Sequence, residues 1–295
     1  MNVIEIEGLL KRFGKKEALR GVSLSVPEGH IYGFLGPNGA GKTTTIKILM
    51  GLLKKDGGSV KLFGEEVKFP DTGKNRRIGF VPETFSLYGY MKGWEILRFN
   101  GALYGKNVMQ NIEKLQRIFN LPLGDKISAY SMGMKKLLSF YIAFSTEPDL
   151  LVLDEPTDGL DPLVRKKLLS FIVDYVAERG TTVFFSSHVL SEVEEVADTI
   201  GILKEGRIVL QGDLDLIKEN SGEITFRTDR NVPPVGSEPI GNGIYRYVAF
   251  GNKDKIIEKL KRSGCTILSE EPVPFEEIFM HCMEEKYEST AQKGI

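Results

Sequence analysis

The sequence predicts an α/β fold: a mostly parallel sheet around a phosphate-binding loop, an inserted helical subdomain and a small C-terminal α+β domain. Three observations carry this expectation. Leu150-Leu151-Val152-Leu153 is a continuous apolar run of the kind that strands buried on both faces show, and Thr181 to Phe185 is another. Gly36-Pro37-Asn38-Gly39-Ala40-Gly41-Lys42-Thr43 spells GxxxxGK[ST] between a strand-like and a helix-like segment, the order of a phosphate cradle. Strand patterns give way to helical periodicity from 93 to about 145, and strand–helix alternation returns at 150.

Residues 1 to about 82 read as short strands and turns. Ile31-Tyr32-Gly33-Phe34-Leu35 is a buried strand entering the loop, and Ile46, Leu49 and Leu52 lie at helical spacing from Thr44 to Leu52. Val60 to Gly64 and Ile78 to Pro82 read as strands ended by glycine or proline. Val108, Ile112, Leu115 and Phe119 form an amphipathic stripe, and Leu137 to Phe144, the longest apolar stretch, reads as a buried helix. Asp161-Pro162 supplies an N-cap and first-turn proline for a helix bearing Leu168, Leu169, Ile172 and Val176, ended by Gly180. Ser191 and Glu194 read as a capping box for the next helix.

Character changes near Ser221-Gly222. Beyond it lie Ile224-Thr225-Phe226, a loop rich in proline and glycine (Pro233, Pro234, Gly236, Pro239, Gly241, Gly243) and a strand from Tyr245 to Phe250. A helix carrying Ile256, Ile257 and Leu260 stops at Gly264, and a strand follows at Thr266-Ile267-Leu268. A last helix opens at Pro274, with Phe275, Ile278, Phe279, Cys282 and Met283 along one face. These elements make a β-β-α-β-α appendage of about 70 residues, and residues after about 287 read as a polar, disordered tail. The expected domains are 1–221, with the helical subdomain at about 84–149, and 222–295.

A chain of 295 residues suits two domains or one with an appendage, and 27% charged residues is ordinary for a soluble globular protein. A formal net charge of −1 gives no electrostatic case for DNA or RNA, so no nucleic-acid partner is expected. No apolar run approaches the roughly 18 residues that span a bilayer. Met1 to Glu5 begins directly with strand-like alternation, so no signal peptide is expected, and membrane association would come through a partner. The two cysteines, Cys265 and Cys282, are too few for a disulfide scaffold and fit a reducing cytoplasm. Even with His281 beside Cys282, they lack the paired C-x-x-C spacing of a metal site.

The loop glycines let successive backbone N–H groups converge on anionic oxygens, and the helix N-terminus adds partial positive charge. Residues from Gly36 through Thr44 are therefore the candidate nucleotide-binding run. Lys42 would reach the terminal phosphates and the Thr43 hydroxyl would ligate Mg²⁺, which implies a nucleoside triphosphate. Asp154-Glu155 closes an apolar strand at the end where doubly wound sheets bind ligand. Asp154 suits Mg²⁺, usually through water, and Glu155 can polarise an attacking water. In isolation such a pair would equally end an ordinary strand.

Further elements follow in a fixed order: Phe13 upstream of the loop, Tyr130-Ser131-Met132-Gly133-Met134-Lys135-Lys136, Asp161 in Gly159-Leu160-Asp161, and His188 after Ser186-Ser187. With the phosphate loop and Asp154-Glu155, this order resembles the ATP-binding cassette (ABC) ATPases, which have a P-loop NTPase core. The resemblance covers about residues 3–220, and the full set of motifs is highly specific. The chain is similar in particular to an exporter branch whose signature reads Tyr-Ser-x-Gly-Met and whose cassette carries a C-terminal domain. Pro274-Phe275-Glu276-Glu277-Ile278-Phe279 looks like that domain's closing helix.

The resemblance implies ATP hydrolysis with Mg²⁺ held by Thr43, Asp154 and Glu83. It makes Phe13 an adenine-stacking ring, His188 a γ-phosphate contact, and Lys42, Glu155 and His188 the catalytic set. Ser131, Met132, Gly133 and Met134 become a signature that acts in trans on the nucleotide of a second subunit, and Asp161 a D-loop residue that also caps its helix. Two departures stand out. Met132 replaces the first signature glycine, while Ser131 and Gly133 are retained. Glu83 stands where most cassettes have glutamine, which adds a negative charge facing phosphate and leaves direct metal contact open. Also implied are a head-to-tail dimer with a second copy or a paralogous ATPase subunit, and a transmembrane permease supplied by another chain. The complex would sit at the cytoplasmic face of the cell membrane, with Phe85 to Trp94, including Tyr88 and Tyr90, meeting the permease. The alternatives are a soluble cassette ATPase acting on ribosomes or nucleic acid, which usually carries two cassettes or a coiled-coil insertion, and a metabolic kinase, which would not need the signature.

Overall fold

The computed structural model describes residues 1–70, 77–84, 86–228 and 236–284. The chain divides into two compact units, Met1–Gln211 and Gly212–Ile295. In the first, β1 (Asn2–Phe13), β2 (Lys16–Pro27), β4 (Gly57–Leu62) and β5 (Glu65–Glu66) form a sheet in the order β2-β1-β4-β5, its described pairings all antiparallel. Both β1 and β2 run twelve residues, longer than the short strands expected of this region. Alternation explains β2: Leu19, Val22, Leu24 and Val26 are buried while the residues between them face outward, so one face packs and the other is solvated.

The second sheet holds the site. It comprises β3 (Ile31–Leu35), β6 (Ile78–Val81), β7 (Leu150–Asp154), β8 (Thr182–Ser187), β9 (Thr199–Lys204) and β10 (Arg207–Asp213), in the order β10-β9-β3-β8-β7-β6. The pairs β9–β3, β3–β8, β8–β7 and β7–β6 are all parallel. Every residue of β3, β7 and β8 is buried, as expected for strands covered on both faces.

Helix α1 (Lys42–Leu49) follows β3, and α2 (Gly93–Tyr104), α3 (Met109–Phe119) and α4 (Met132–Ser145) form the helical insertion between β6 and β7. In the expected stripe, Val108, Ile112 and Leu115 are buried, while Phe119 is half-buried with its ring against Tyr141 and Phe171. Helix α5 (Pro162–Arg179) is capped by Asp161, whose carboxylate accepts from the N–H groups of Leu163 and Val164, and it ends at Gly180 in the left-handed region. The expected capping box does not form. Helix α6 (Leu190–Val196) starts at Leu190, so Ser191 and Glu194 lie inside it. The turn before it is made instead by Ser187, whose hydroxyl accepts from the Val189 N–H at 2.9 Å.

The second unit contains α7 (Leu214–Glu219), β11 (Gly222–Arg227), β12 (Glu238–Gly241), β13 (Ile244–Ala249), α8 (Lys253–Arg262), β14 (Thr266–Glu271) and α9 (Phe275–Met283). Its sheet runs β12-β13-β11-β14, around a core of Ile224, Phe226, Ala249, Ile257, Leu260 and Cys265. Strand β12 is one more than the β-β-α-β-α expectation, in a stretch read as loop. Its cause is local: Asn242 and Gly243 both have positive φ, 52° and 73°, the geometry an Asn-Gly hairpin turn requires. Pro239 is tolerated because β12 is an edge strand. Cys282 is buried with Phe275 and Ile278 on one face of α9, as expected. Pro233, Pro234 and the expected tail after 287 lie outside the described residues.

Candidate active site

Parallel register brings the candidate residues to one edge. Leu35 pairs with Ser187, Asp154 with Ser186, and Val81 with Leu153. The phosphate loop, Glu83, Glu155 and His188 therefore all leave the sheet at its C-terminal side, where ligands bind in open α/β sheets. The loop needs glycine at Gly41, where φ is 118° and an added Cβ would lie 2.9 Å from the Ala18 carbonyl oxygen. Gly36 is needed for another reason: a Cβ there would lie 2.4 Å from the Leu203 carbonyl oxygen. The Ala40 N–H donates to the Pro37 carbonyl, closing the turn.

A cleft of about 360 Å³ opens over this edge. Asn38, Gly39, Gly41, Lys42, Thr43 and Thr44 line one side, and Phe13, Glu83, Glu155, Asp158 and His188 also face it. Gly36, Pro37, Ala40, Asp154 and Asp161 do not line it. Lys42 is only 6% exposed; its Nζ donates to the Gly36 carbonyl at 2.7 Å and pairs with Glu155 Oε1 at 3.0 Å. The other Glu155 oxygen lies 2.8 Å from His188 Nδ1. Glu155 itself holds φ at 47°, uncommon for a residue with a side chain, and its N–H donates to the Ser186 hydroxyl. One buried carboxylate is thus aimed between a lysine and a histidine.

Beside it, Thr43 Oγ1 lies 3.2 Å from Glu83 Oε2 and 3.3 Å from Asp154 Oδ1, so three oxygen donors from three chain segments meet. Ser186 donates to Asp154 at 2.7 Å. Burial pushes the Asp154 carboxyl above the usual carboxylate range; the hydrogen bonds from Ser186 and Thr43 oppose this, and the Glu83 and Glu155 charges add to it.

Phe13 is 51% exposed at the end of β1, with Lys11 Nζ 5.4 Å from its ring centroid, so it is not a core residue. The signature residues lie elsewhere. Ser131 caps α4 by accepting from the Met134 N–H at 3.2 Å; Ser131 and Met132 are exposed, while Gly133 and Met134 are partly buried. None of the four lines the cleft.

Sequence reasoning assigned no role to Asp158, Lys16, Ser186 or Lys136. Asp158 and Lys16 line the cleft. A ligand atom of Asp158 lies within 4.8 Å of those of Glu155 and His188. Its place three residues beyond Glu155, before Gly159, was the available signal. Lys136 is 3% exposed and donates to three backbone carbonyls, which no local pattern announces.

Residues 19–158 match the ABC transporter family model. The bacitracin transport ATP-binding protein BcrA of Bacillus licheniformis is 37% identical over 280 residues, covering 90% of this chain and 92% of that protein. The chain belongs to the ABC transporter family. The lantibiotic transport ATP-binding protein SrtF of Streptococcus pyogenes is 37% identical over 72% of this chain and 92% of its own length. A solved ATP-binding subunit of an ABC transporter superposes with a TM-score of 0.67 at 31% identity, over 74% of this chain and 92% of the other. The chain is accordingly an ATP-binding, ATP-hydrolysing cassette of a membrane transporter, with a P-loop NTPase fold. Among the described residues no helix is long and apolar enough to cross a membrane.

Proposed function

We propose that this cassette powers an exporter, and that it closes head to tail with a second copy or a paralogous subunit around two ATP molecules. One observation carries the reading. The cleft takes in Phe13, Lys42, Thr43, Glu83, Glu155 and His188 but none of Ser131, Met132, Gly133 and Met134, which start helix α4 elsewhere. One set surrounds a nucleotide; the other presents a serine, a glycine and a helix N-terminus, groups that suit an anion held by another subunit.

In each site the loop N–H groups and Lys42 hold the β- and γ-phosphates, and the exposed Phe13 ring stacks on adenine. Thr43, Asp154 and Glu83 are hard oxygen donors within reach of a common point, and they fit Mg²⁺. Bound there, the ion would supply charge neutralisation on the phosphates. Glu155 takes the proton of the attacking water. His188, oriented by Glu155 through Nδ1, offers its other ring nitrogen to the γ-phosphate. Asp161 caps α5 and stands exposed at the head of that helix, as a D-loop residue would.

Relatives named for bacitracin and lantibiotic transport support an exporter. Tyr88, Tyr90 and Trp94 are 56%, 74% and 37% exposed and support a permease contact here; Phe85 lies outside the described residues. The cassette would then be peripheral, at the cytoplasmic face of the membrane. The test mixes two inactive variants. Ser131→Arg spoils the signature offered to the other subunit, and Lys42→Ala spoils the subunit's own site. A heterodimer then carries both lesions in one site and leaves the other intact. Recovered ATPase activity on mixing is expected; normal hydrolysis by monomeric Ser131→Arg would overturn the paired-site reading.

A further inference from the structure

Lys136 is the most deeply buried lysine among the described residues, at 3% exposure, and no carboxylate is hydrogen-bonded to it. Its Nζ instead donates to the backbone carbonyls of Pro82 at 3.2 Å, Glu83 at 3.3 Å and Asp154 at 3.3 Å. Those carbonyls belong to two separate chain segments, the exit of β6 and the last residue of β7. An ammonium has three N–H donors, and all three are used. A buried cation costs free energy unless its donors are satisfied, so this arrangement holds only while the two segments and α4 keep their spacing. Burial pulls the Lys136 ammonium below the usual lysine range, while Asp158, Asp154, Glu83 and Glu155 favour its charge.

The two ends of this strut are informative. On one side, two of the three residues whose carbonyls it holds, Glu83 and Asp154, direct their carboxylates at Thr43. On the other, Lys136 sits on the second turn of α4, whose first residues are the signature. The start of α4 is fixed at a second point: a Cβ on Gly133 would lie 2.8 Å from the Gly159 carbonyl oxygen, so the helix abuts the backbone that leads to Asp161. A span from the signature helix to both segments at the metal-ligand corner links the two ends directly. Lys136 makes it with one atom.

We propose that Lys136 is a positioning residue that couples the Thr43–Glu83–Asp154 corner of a subunit's own nucleotide site to the signature it presents to the opposite subunit. The role rests on the paired-cassette reading above and deepens it. A shift of the Glu83 or Asp154 backbone moves the carbonyls that hold Nζ, and α4 must follow or lose its hydrogen bonds. The state of one site thereby sets the pose of the surface that completes the other. Lys136 touches no nucleotide, so its loss should spare binding by a single subunit and impair closure.

The experiment uses Lys136→Met, which keeps an apolar stem one atom shorter and removes all donors, and Lys136→Gln, which is of the same length as methionine but keeps two N–H groups. Both are made in the full chain, alone and with Glu155→Gln. ATP-analogue affinity of the single subunit should stay within about twofold for both variants, because the loop is untouched. The Mg-ATP concentration that half-converts the Glu155→Gln background to dimer should rise about tenfold with Met, the scale of a lost charge-assisted hydrogen bond, and about threefold with Gln. Steady-state kcat should fall in the same order, with the Hill coefficient moving towards one. A dimerisation midpoint within about 1.5-fold of the background for either variant overturns the role, as does analogue binding that weakens in step with the midpoint. If Met fails to fold, the Gln variant alone decides by the same two readings. A Glu155→Gln background that stays monomeric in saturating Mg-ATP faults the paired-cassette reading itself, and this role with it.

Discussion

Glu155→Gln separates chemistry from binding more cleanly than any other change in this site. The amide nearly matches the carboxylate in volume, so the backbone at φ 47° and the contacts to Ser186 need not move. What goes is the proton acceptor and one negative charge. Loss of a positioned general base costs about 10²–10⁴-fold, which is roughly 2.7–5.5 kcal/mol on the barrier. Binding should move the other way. Lys42 and Glu155 lie 3.0 Å apart and both are almost fully buried. At an effective dielectric near 20 the bare attraction is roughly 5 kcal/mol, most of it offset by the desolvation of the pair. Releasing Lys42 and removing a carboxylate that faces phosphate should tighten ATP by about 1–2 kcal/mol, or about five- to thirtyfold. Single-turnover phosphate release measures the first quantity and titration with a fluorescent ATP analogue the second; size-exclusion chromatography in Mg-ATP should show a stable dimer. Turnover within about threefold of wild type would refute Glu155 as principal base, because that is under 1 kcal/mol of barrier. Weakened ATP binding would refute the electrostatic part.

Three further outcomes follow from particular contacts. Lys42→Ala removes a point charge from the phosphates and should weaken ATP by at least about thirtyfold, measured by calorimetry with a non-hydrolysable analogue; unchanged affinity would mean the phosphate site lies elsewhere. Tyr32 is 2% exposed, stacks on Phe184, and its hydroxyl has no hydrogen-bond partner among the described residues, so Tyr32→Phe should stabilise the fold by about 1 kcal/mol in thermal unfolding, and destabilisation would show that the hydroxyl is paired. The Arg12 backbone N–H, 2.7 Å from Asp56, and then Lys11 hold the Asp56 carboxyl below the usual carboxylate range. The stability it contributes is present above the unfolded carboxylate pKa of about 3.9 and is lost as pH falls through the lower folded value. An NMR titration should place Asp56 below a free aspartate, and Asp56→Asn should remove that part of the acid dependence.

What could be read in the sequence was what short stretches of chain decide by themselves. The phosphate loop, the apolar run before Asp154-Glu155 and the Asp161-Pro162 helix start each depend on residues within a few positions of one another. The helical stripe at 108–119 did too. Asn242-Gly243 is equally local, yet the surrounding prolines and glycines give the segment the composition of a loop and mask the hairpin turn inside it. Ser191 and Glu194 fit a capping pattern that lost to a nearer competitor, since the Ser187 hydroxyl had already turned the chain at Val189. The Lys136 contacts could not be read at all. They join carbonyls from residues 82, 83 and 154 to a helix at 132–145, and carbonyl positions leave no trace in composition or periodicity.

The same structure bears on the departure at the signature. A methionine in place of its first glycine would matter most if the backbone there needed a positive φ or a close approach. Met132 needs neither. It is the first residue of α4, with right-handed helical geometry ahead of it, and its side chain is 78% exposed. The next residue is the constrained one: any side chain on Gly133 would meet the Gly159 carbonyl at 2.8 Å, and that contact is backbone and cannot rotate away. Ser131 is constrained as well, because its hydroxyl accepts the Met134 N–H and starts the helix. The two positions that geometry restricts are therefore the two this chain retains, and the substituted one is free to point outward. Replacing Met132 with glycine should then cost helix stability, about 0.5–1 kcal/mol from backbone freedom alone, instead of improving the fold. A rise in thermal stability on Met132→Gly would mean that the methionine strains the helix start, and the argument from Gly133 would fail.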